Sequence, residues 1–167
     1  QENKTQENKT QENKKKSPNQ TELTKVEQAK NNLLEVKEIR KASPSIEEIK
    51  YLINTWLSNK GKYMEGKADI NLSGIVKDGL IRRTIEERKN DIKKGIYKEI
   101  ISQIRDIDFE SQTSSRIVVL VELNYIERII KNTGEFVSEI SLNPLKVKYI
   151  LGFSNKSWKL VDFVSGF

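Results

Sequence analysis

The stretch that decides the fold is LKVKYILGFSNKSWKLVDFV, residues 145–164. From Leu145 to Phe153 every second residue is apolar, as in a strand that buries one face. A second alternating run begins at Trp158. The polar segment SNKS between the two runs is typical of a tight turn. The stretch therefore predicts a β-hairpin at the end of the chain.

Two further strands are predicted before this hairpin. Residues 116–130 alternate after a β-branched start, and 132–134 are typical of a turn. Residues 97–109 are rich in isoleucine, and their alternation changes phase between Ile100 and Ile101. We expect a β-bulge at that point.

The clearest helix is predicted before the strands, at 45–60. Ser45 and Glu48 have the spacing of a capping box, and Gly61 is expected near the helix end. The apolar residues follow the helical period and predict one buried stripe. They are Ile49, Leu52, Ile53, Trp56 and Leu57.

A second helix is predicted at 80–94, with Gly95 as its stop. Helices followed by strands with short turns favour the α+β class. Both faces of the strands carry apolar residues, so the sheet should curl around its own contents. We therefore predict N-terminal helices packed on a curved antiparallel sheet.

The chain divides into three predicted regions. Residues 1–20 repeat QENKT with no large apolar residue, which predicts a disordered linker. Residues 21–44 have a thin apolar stripe and predict a helical extension, whose docking is left open. Residues 45–167 are long enough to form the α+β domain.

The composition excludes several chemistries. The 167 residues include no histidine and no cysteine, so a Ser–His–Asp triad, a thiolate nucleophile and a zinc ribbon are impossible within this chain. No metal or cofactor is expected. The net charge is +6, and its densest basic part is 77–98. We interpret that part as a solvated helix face rather than a site for nucleic acid or anionic membrane.

Parts of the chain resemble a known family. The stretches VVLVELNYIERIIKNTGEFVSEI (118–140) and LKVKYILGFSNKSWKLVDF (145–163) resemble the IMS-like C-terminal domain of ARC-type plastid-division proteins. Cyanobacterial ZipN-like cell-division proteins share this domain. The likeness extends over 45–167, although Lys148 stands where the family usually has arginine.

The resemblance implies a cone-shaped, nuclear-transport-factor-like fold without catalytic activity. It implies a protein-interaction domain of a larger, membrane-anchored cyanobacterial protein, attached through a helix outside this fragment. The expected partner is a short segment of another membrane or division protein. The side of the membrane and the oligomeric state are left open.

Five residues are predicted to bind the partner. Tyr125, Tyr149 and Phe153 would be apolar anchors on the concave face of the sheet, although a core role is about as plausible for the tyrosines. Lys146 and Lys148 would add charge at the rim. Because neighbouring residues of a strand point to opposite faces, these lysines share a surface with the tyrosines only if the strand bulges.

The alternative function is small-molecule binding, or an isomerase- or hydratase-like activity in the pocket of the cone. Such an enzyme needs a buried carboxylate opposite a tyrosine. Asp162 alternates with core residues of the last predicted strand and is the candidate for this pocket carboxylate. This alternative rests on analogy between folds, which does not establish function.

Overall fold

The computed structural model of the chain describes residues 25–34 and 43–166. The chain forms two units, Gln1–Arg40 and Lys41–Phe167. In the first unit, residues 25–34 form a helix, α1, within the predicted helical extension. The predicted disordered linker lies outside the described residues, as does the remainder of the extension up to residue 42.

The described part of the second unit contains two helices followed by four strands. The helices are α2 (Ile46–Met64) and α3 (Asp78–Lys93), and the strands are β1 (Ile96–Gln112), β2 (Arg116–Lys131), β3 (Phe136–Ser154) and β4 (Ser157–Ser165). The strands form one sheet in the order β1-β2-β3-β4, and each neighbouring pair is antiparallel. The predicted α+β class with an antiparallel sheet is confirmed.

Helix α2 begins as predicted and ends later. The Ser45 backbone N–H donates to Glu48 Oε2 at 2.6 Å, and the Glu48 N–H donates to Ser45 Oγ at 3.2 Å, so the capping box is present. Gly61 does not end the helix, which runs to Met64 and stops with Gly66 at a φ of 76°. Gly61 instead permits close packing, because a Cβ there would lie 3.3 Å from the Ile100 carbonyl oxygen of β1.

The core lies between the helices and one face of the sheet. The predicted stripe of α2 is largely buried, and it packs in one cluster with Val119, Val121, Leu123 and Tyr149 of the central strands.

Helix α3 has a less apolar buried face than α2. Its buried residues are Leu80, Thr84 and Asp91. Ile92, in the last turn of the helix, points away from the core and is 56% exposed. Gly95 follows the helix at a φ of 67°, which confirms the predicted stop.

Two features of the sheet correct the sequence prediction. The phase change at Ile100 is not a bulge against β2, since the register shifts of β1 lie between Ile104 and Asp106 and between Phe109 and Ser111. Strand β3 begins at Phe136, well before the predicted start at Leu145. The alternation is interrupted around Pro144, where β3 also shifts register against β2. That interruption hides the first half of the strand in the sequence.

The β3–β4 hairpin has a strained residue that offers a stability test. Asn155 and Lys156 have φ angles of 52° and 62°, as in a type I′ turn, which favours glycine at its second position. Lys156→Gly should raise the free energy of unfolding by about 0.5–1 kcal/mol. The left-handed backbone conformation is sterically unfavourable for lysine, whereas glycine adopts it freely. Urea denaturation measures the change.

Asn155→Gly is the matched control for this hairpin. Asparagine tolerates the left-handed region better than lysine, so the gain at residue 155 should be smaller. A loss of stability in Lys156→Gly would contradict the type I′ assignment.

Candidate functional site

The inner face of the sheet and helix α2 line an open cavity of about 230 Å³. Its walls are mostly apolar and come from α2 and all four strands. Tyr149 is only 2% exposed, so its ring belongs to the inner wall. The lining residues are Trp56, Leu57, Lys60, Ile100, Leu123, Tyr125, Ile140, Leu142, Leu145, Val147, Tyr149, Phe163 and Ser165.

Lys60 gives the cavity its positive charge, since it is the one basic residue among the described lining residues. Its Nζ lies 3.4 Å from Glu87 Oε2 and 5.5 Å from the centroid of the Phe163 ring. An ammonium over an aromatic face is favourable, so the side chain is held at the wall. The cavity therefore combines apolar surface with one cation.

Tyr125 supplies a polar group beside this surface. Its hydroxyl donates to Glu127 Oε2 at 2.6 Å. Burial, together with Glu127, raises the pKa of Tyr125 above its ordinary value. The phenol therefore stays neutral and acts as a hydrogen-bond donor at physiological pH.

A partly buried ion cluster adjoins the polar side of the cavity. Lys98 Nζ lies 2.8 Å from Glu87 Oε1, 3.7 Å from Glu127 Oε1 and 3.8 Å from Asp91 Oδ2. Burial acts to lower the pKa of Lys98, but these carboxylates outweigh it and hold the pKa above its usual value. Lys60 belongs to the same cluster through Glu87, so the cluster fixes the cation of the cavity.

Burial also shapes the acids of this cluster. Burial raises the pKa of Asp91, and Lys98 offsets only part of that rise. Burial acts in the same direction on Glu87, but Lys60 and Lys98 together bring its pKa below the ordinary value. The Asp91 Oδ2 atom accepts no hydrogen bond from the described residues. The cluster is therefore an ionic network in which one carboxylate oxygen of Asp91 lacks a hydrogen bond from the described residues.

The structure brings together only some of the predicted binding residues. Tyr125 and Tyr149 both line the cavity. Phe153 lies away from it and packs on Trp158, with ring centroids 5.4 Å apart. One surface containing all three aromatic anchors is therefore not present.

Lys146 and Lys148 lie on the opposite face of β3 from Val147 and Tyr149, because side chains alternate along the strand. Lys146 Nζ is 3.8 Å from Glu122 Oε1, and Lys148 Nζ is 2.5 Å from Glu110 Oε1. The bulge that would bring them beside the tyrosines is absent from the described pairing of 147–150 with β2. The place that was predicted for them, at the rim of the concave face beside the tyrosines, is therefore wrong, and their role in partner binding stays a prediction.

The predicted position of Asp162 as a pocket carboxylate is also wrong. Its carboxylate is 40% exposed, pairs with Arg83 of α3 and accepts a hydrogen bond from the Phe163 N–H at 2.7 Å. Beside Tyr125 the structure places Glu127, which Lys98 already neutralises. Asp162 is therefore not the buried acid that the enzyme alternative needs.

Sequence reasoning missed two groups of residues at this site. Ile140 and Leu142 line the cavity from the half of β3 that was not predicted. Lys98 was read as part of a solvated basic run, whereas its side chain is 16% exposed and points into the ion cluster. Ile140 and Leu142, two positions apart and flanked by polar residues, were the available signal for this half of the strand.

The fold and the cavity define a class of protein, a small α+β domain in which helices cover one face of an antiparallel sheet around a pocket. The family of ARC6-like IMS domains matches residues 50–161. The chain belongs to this family, which confirms the resemblance seen in the sequence. No curated protein matches the chain significantly.

A solved structure agrees with this assignment. The crystal structure of the intermembrane space region of chloroplast protein ARC6 superposes with a TM-score of 0.58 over 74% of this chain and 97% of that chain. The sequences are 11% identical, so the likeness concerns the fold. None of the helices in the described ranges is long and apolar enough to cross a membrane.

Proposed function

We propose that this domain binds a short segment of a partner protein in the cavity between α2 and the sheet. The observation that supports the proposal is the cavity itself, which is open, mostly apolar and provided with one held cation, Lys60. Such pockets bind apolar groups and use a few polar groups for orientation. Tyr125 and Tyr149 are the predicted anchors that we retain for this role.

The proposal includes a cellular setting that follows from the family. The matched domain and the structural neighbour are named after ARC6, a chloroplast protein. We propose that this chain is the interaction domain of a larger, membrane-anchored cyanobacterial division protein and has no catalytic role. Its partner would be a segment of another membrane or division protein.

The test places a charge at the cavity. Leu142 lines the cavity and is 41% exposed, so Leu142→Asp should leave the fold intact. A photo-crosslinking amino acid at residue 142 identifies the contacted segment in cells, and calorimetry then measures the binding of that segment as a synthetic peptide. We expect Leu142→Asp to weaken binding at least about tenfold, because a carboxylate must be desolvated in an apolar site.

Ile101→Asp is the matched control, because Ile101 is 52% exposed on β1 and does not line the cavity. This variant should bind like the parent chain. Equal binding by the parent and Leu142→Asp, or equal crosslinking from residues 101 and 142, would contradict the proposal.

A further inference from the structure

Half of strand β3 has an open edge. Strand β4 pairs with β3 only from Val147 to Ser154, and the pairing ends where Ser165 meets Val147. Among the described residues, no strand covers that side of 136–146. An uncovered edge presents backbone N–H and C=O groups in the spacing of a strand, which another strand can satisfy.

This open edge borders the cavity. Ile140 and Leu142 line the cavity from β3, and Ser165 lines it from the end of β4. A strand added along the open edge would lie in line with β4 on the same side of β3. Every second side chain of that strand would point towards the cavity. The edge and the cavity therefore form one continuous surface.

The usable part of the edge is limited to 136–142. Beyond it, Pro144 has no backbone N–H, and β3 shifts register there against β2. By contrast, β4 is covered on its outer side where Val76 pairs with Leu160, with the Lys77 N–H donating to the Leu160 carbonyl at 2.9 Å. The described pairing therefore leaves this segment of β3 open beside the pocket.

We propose that the partner segment binds as an added β-strand along 136–142. It places an apolar side chain in the cavity and an acidic side chain near Lys60. The proposal rests on the proposed function and specifies the conformation and chemistry of the ligand. Backbone hydrogen bonds would supply affinity, and the cavity and Lys60 would supply specificity.

A second copy of this chain fits this surface less well. In a pairing of two β3 edges, Ile140 and Leu142 of each copy would already be lining that copy's own cavity. Neither copy would then provide a side chain to fill the other cavity. A strand from a different protein has no such conflict.

The test uses a phage library of random ten-residue peptides selected against the 167-residue chain. Selected peptides should alternate apolar residues and carry Asp or Glu, and Leu142→Asp should abolish their binding. In synthetic copies, N-methylation of alternate backbone amides should weaken binding at least about tenfold, since each removes a backbone hydrogen bond. Methylation of the intervening amides is the matched control.

Amide hydrogen exchange provides the second measurement. Bound peptide should slow the exchange of alternate amides within 136–142, because only alternate N–H groups point to the open edge. Peptides that need Leu142 but tolerate every N-methyl group would overturn the added strand and leave cavity binding standing. Failure to select any peptide dependent on Leu142 would overturn both proposals, and peptide-free dimers that bury 136–142 would assign the edge to a second copy.

Discussion

Replacing Trp56 by alanine should lower the free energy of unfolding by about 3–5 kcal/mol, the usual cost of deleting a large aromatic side chain from a core. Trp56 is 1% exposed and belongs to the cluster that joins α2 to the central strands. Since small domains have total stabilities of about 5–15 kcal/mol, this one change removes much of the margin. Urea denaturation followed by circular dichroism measures the loss.

Tyr51→Ala is the matched control for Trp56→Ala. It removes another aromatic ring from α2, but Tyr51 is 66% exposed, so its loss should change stability by no more than about 0.5 kcal/mol. Similar losses in the two variants would show that α2 does not pack on the sheet through Trp56. Because Trp56 also lines the cavity, the alanine variant should lose any ligand that the cavity selects.

Helix α2 shows what local sequence information predicts well. Its capping box and apolar stripe are short-range patterns, and both appear in the structure with the expected partners. Its end was misplaced because glycine is ambiguous in a sequence. At Gly61 the absent side chain admits the Ile100 carbonyl of β1, a contact between residues distant in the chain.

The same short-range sequence patterns do not predict the cavity. Strand β3 is continuous across Pro144, although proline usually argues against a central strand. The residue is accommodated because β4 does not extend that far along β3. Ile140 and Leu142 line the cavity from the half of β3 that β4 does not reach, and short-range periodicity does not reveal this unequal strand length.

Replacing Lys98 by methionine should lower the free energy of unfolding by about 2–4 kcal/mol at pH 7. This is less than the full cost of removing one partner of a fully buried ion pair, because the cluster is only partly buried. Methionine keeps the length of the side chain and removes the charge. Glu87, Glu127 and Asp91 would lose the ammonium that lies within 3.8 Å of each of them. Lys93→Met is the matched control, because Lys93 is exposed at the end of α3.

The pH dependence separates this electrostatic loss from a loss of packing. In the parent chain the pKa of Glu87 is lower in the folded state than in the unfolded state. Ionised Glu87 therefore stabilises the fold at pH values above its unfolded-state pKa, and this stabilisation is lost as the pH falls through its folded-state pKa. The raised pKa of Asp91 acts oppositely, since its ionisation costs stability as the pH rises. Without Lys98 the folded-state pKa values of Glu87 and Asp91 should rise, so both acids should bind their protons more tightly in the folded chain. The deficit of Lys98→Met should therefore be largest at pH 7 and shrink towards pH 4–5, and adding Glu87→Gln should recover part of it at pH 7. A deficit independent of pH and unchanged by Glu87→Gln would show that Lys98 acts through the packing of its aliphatic chain alone.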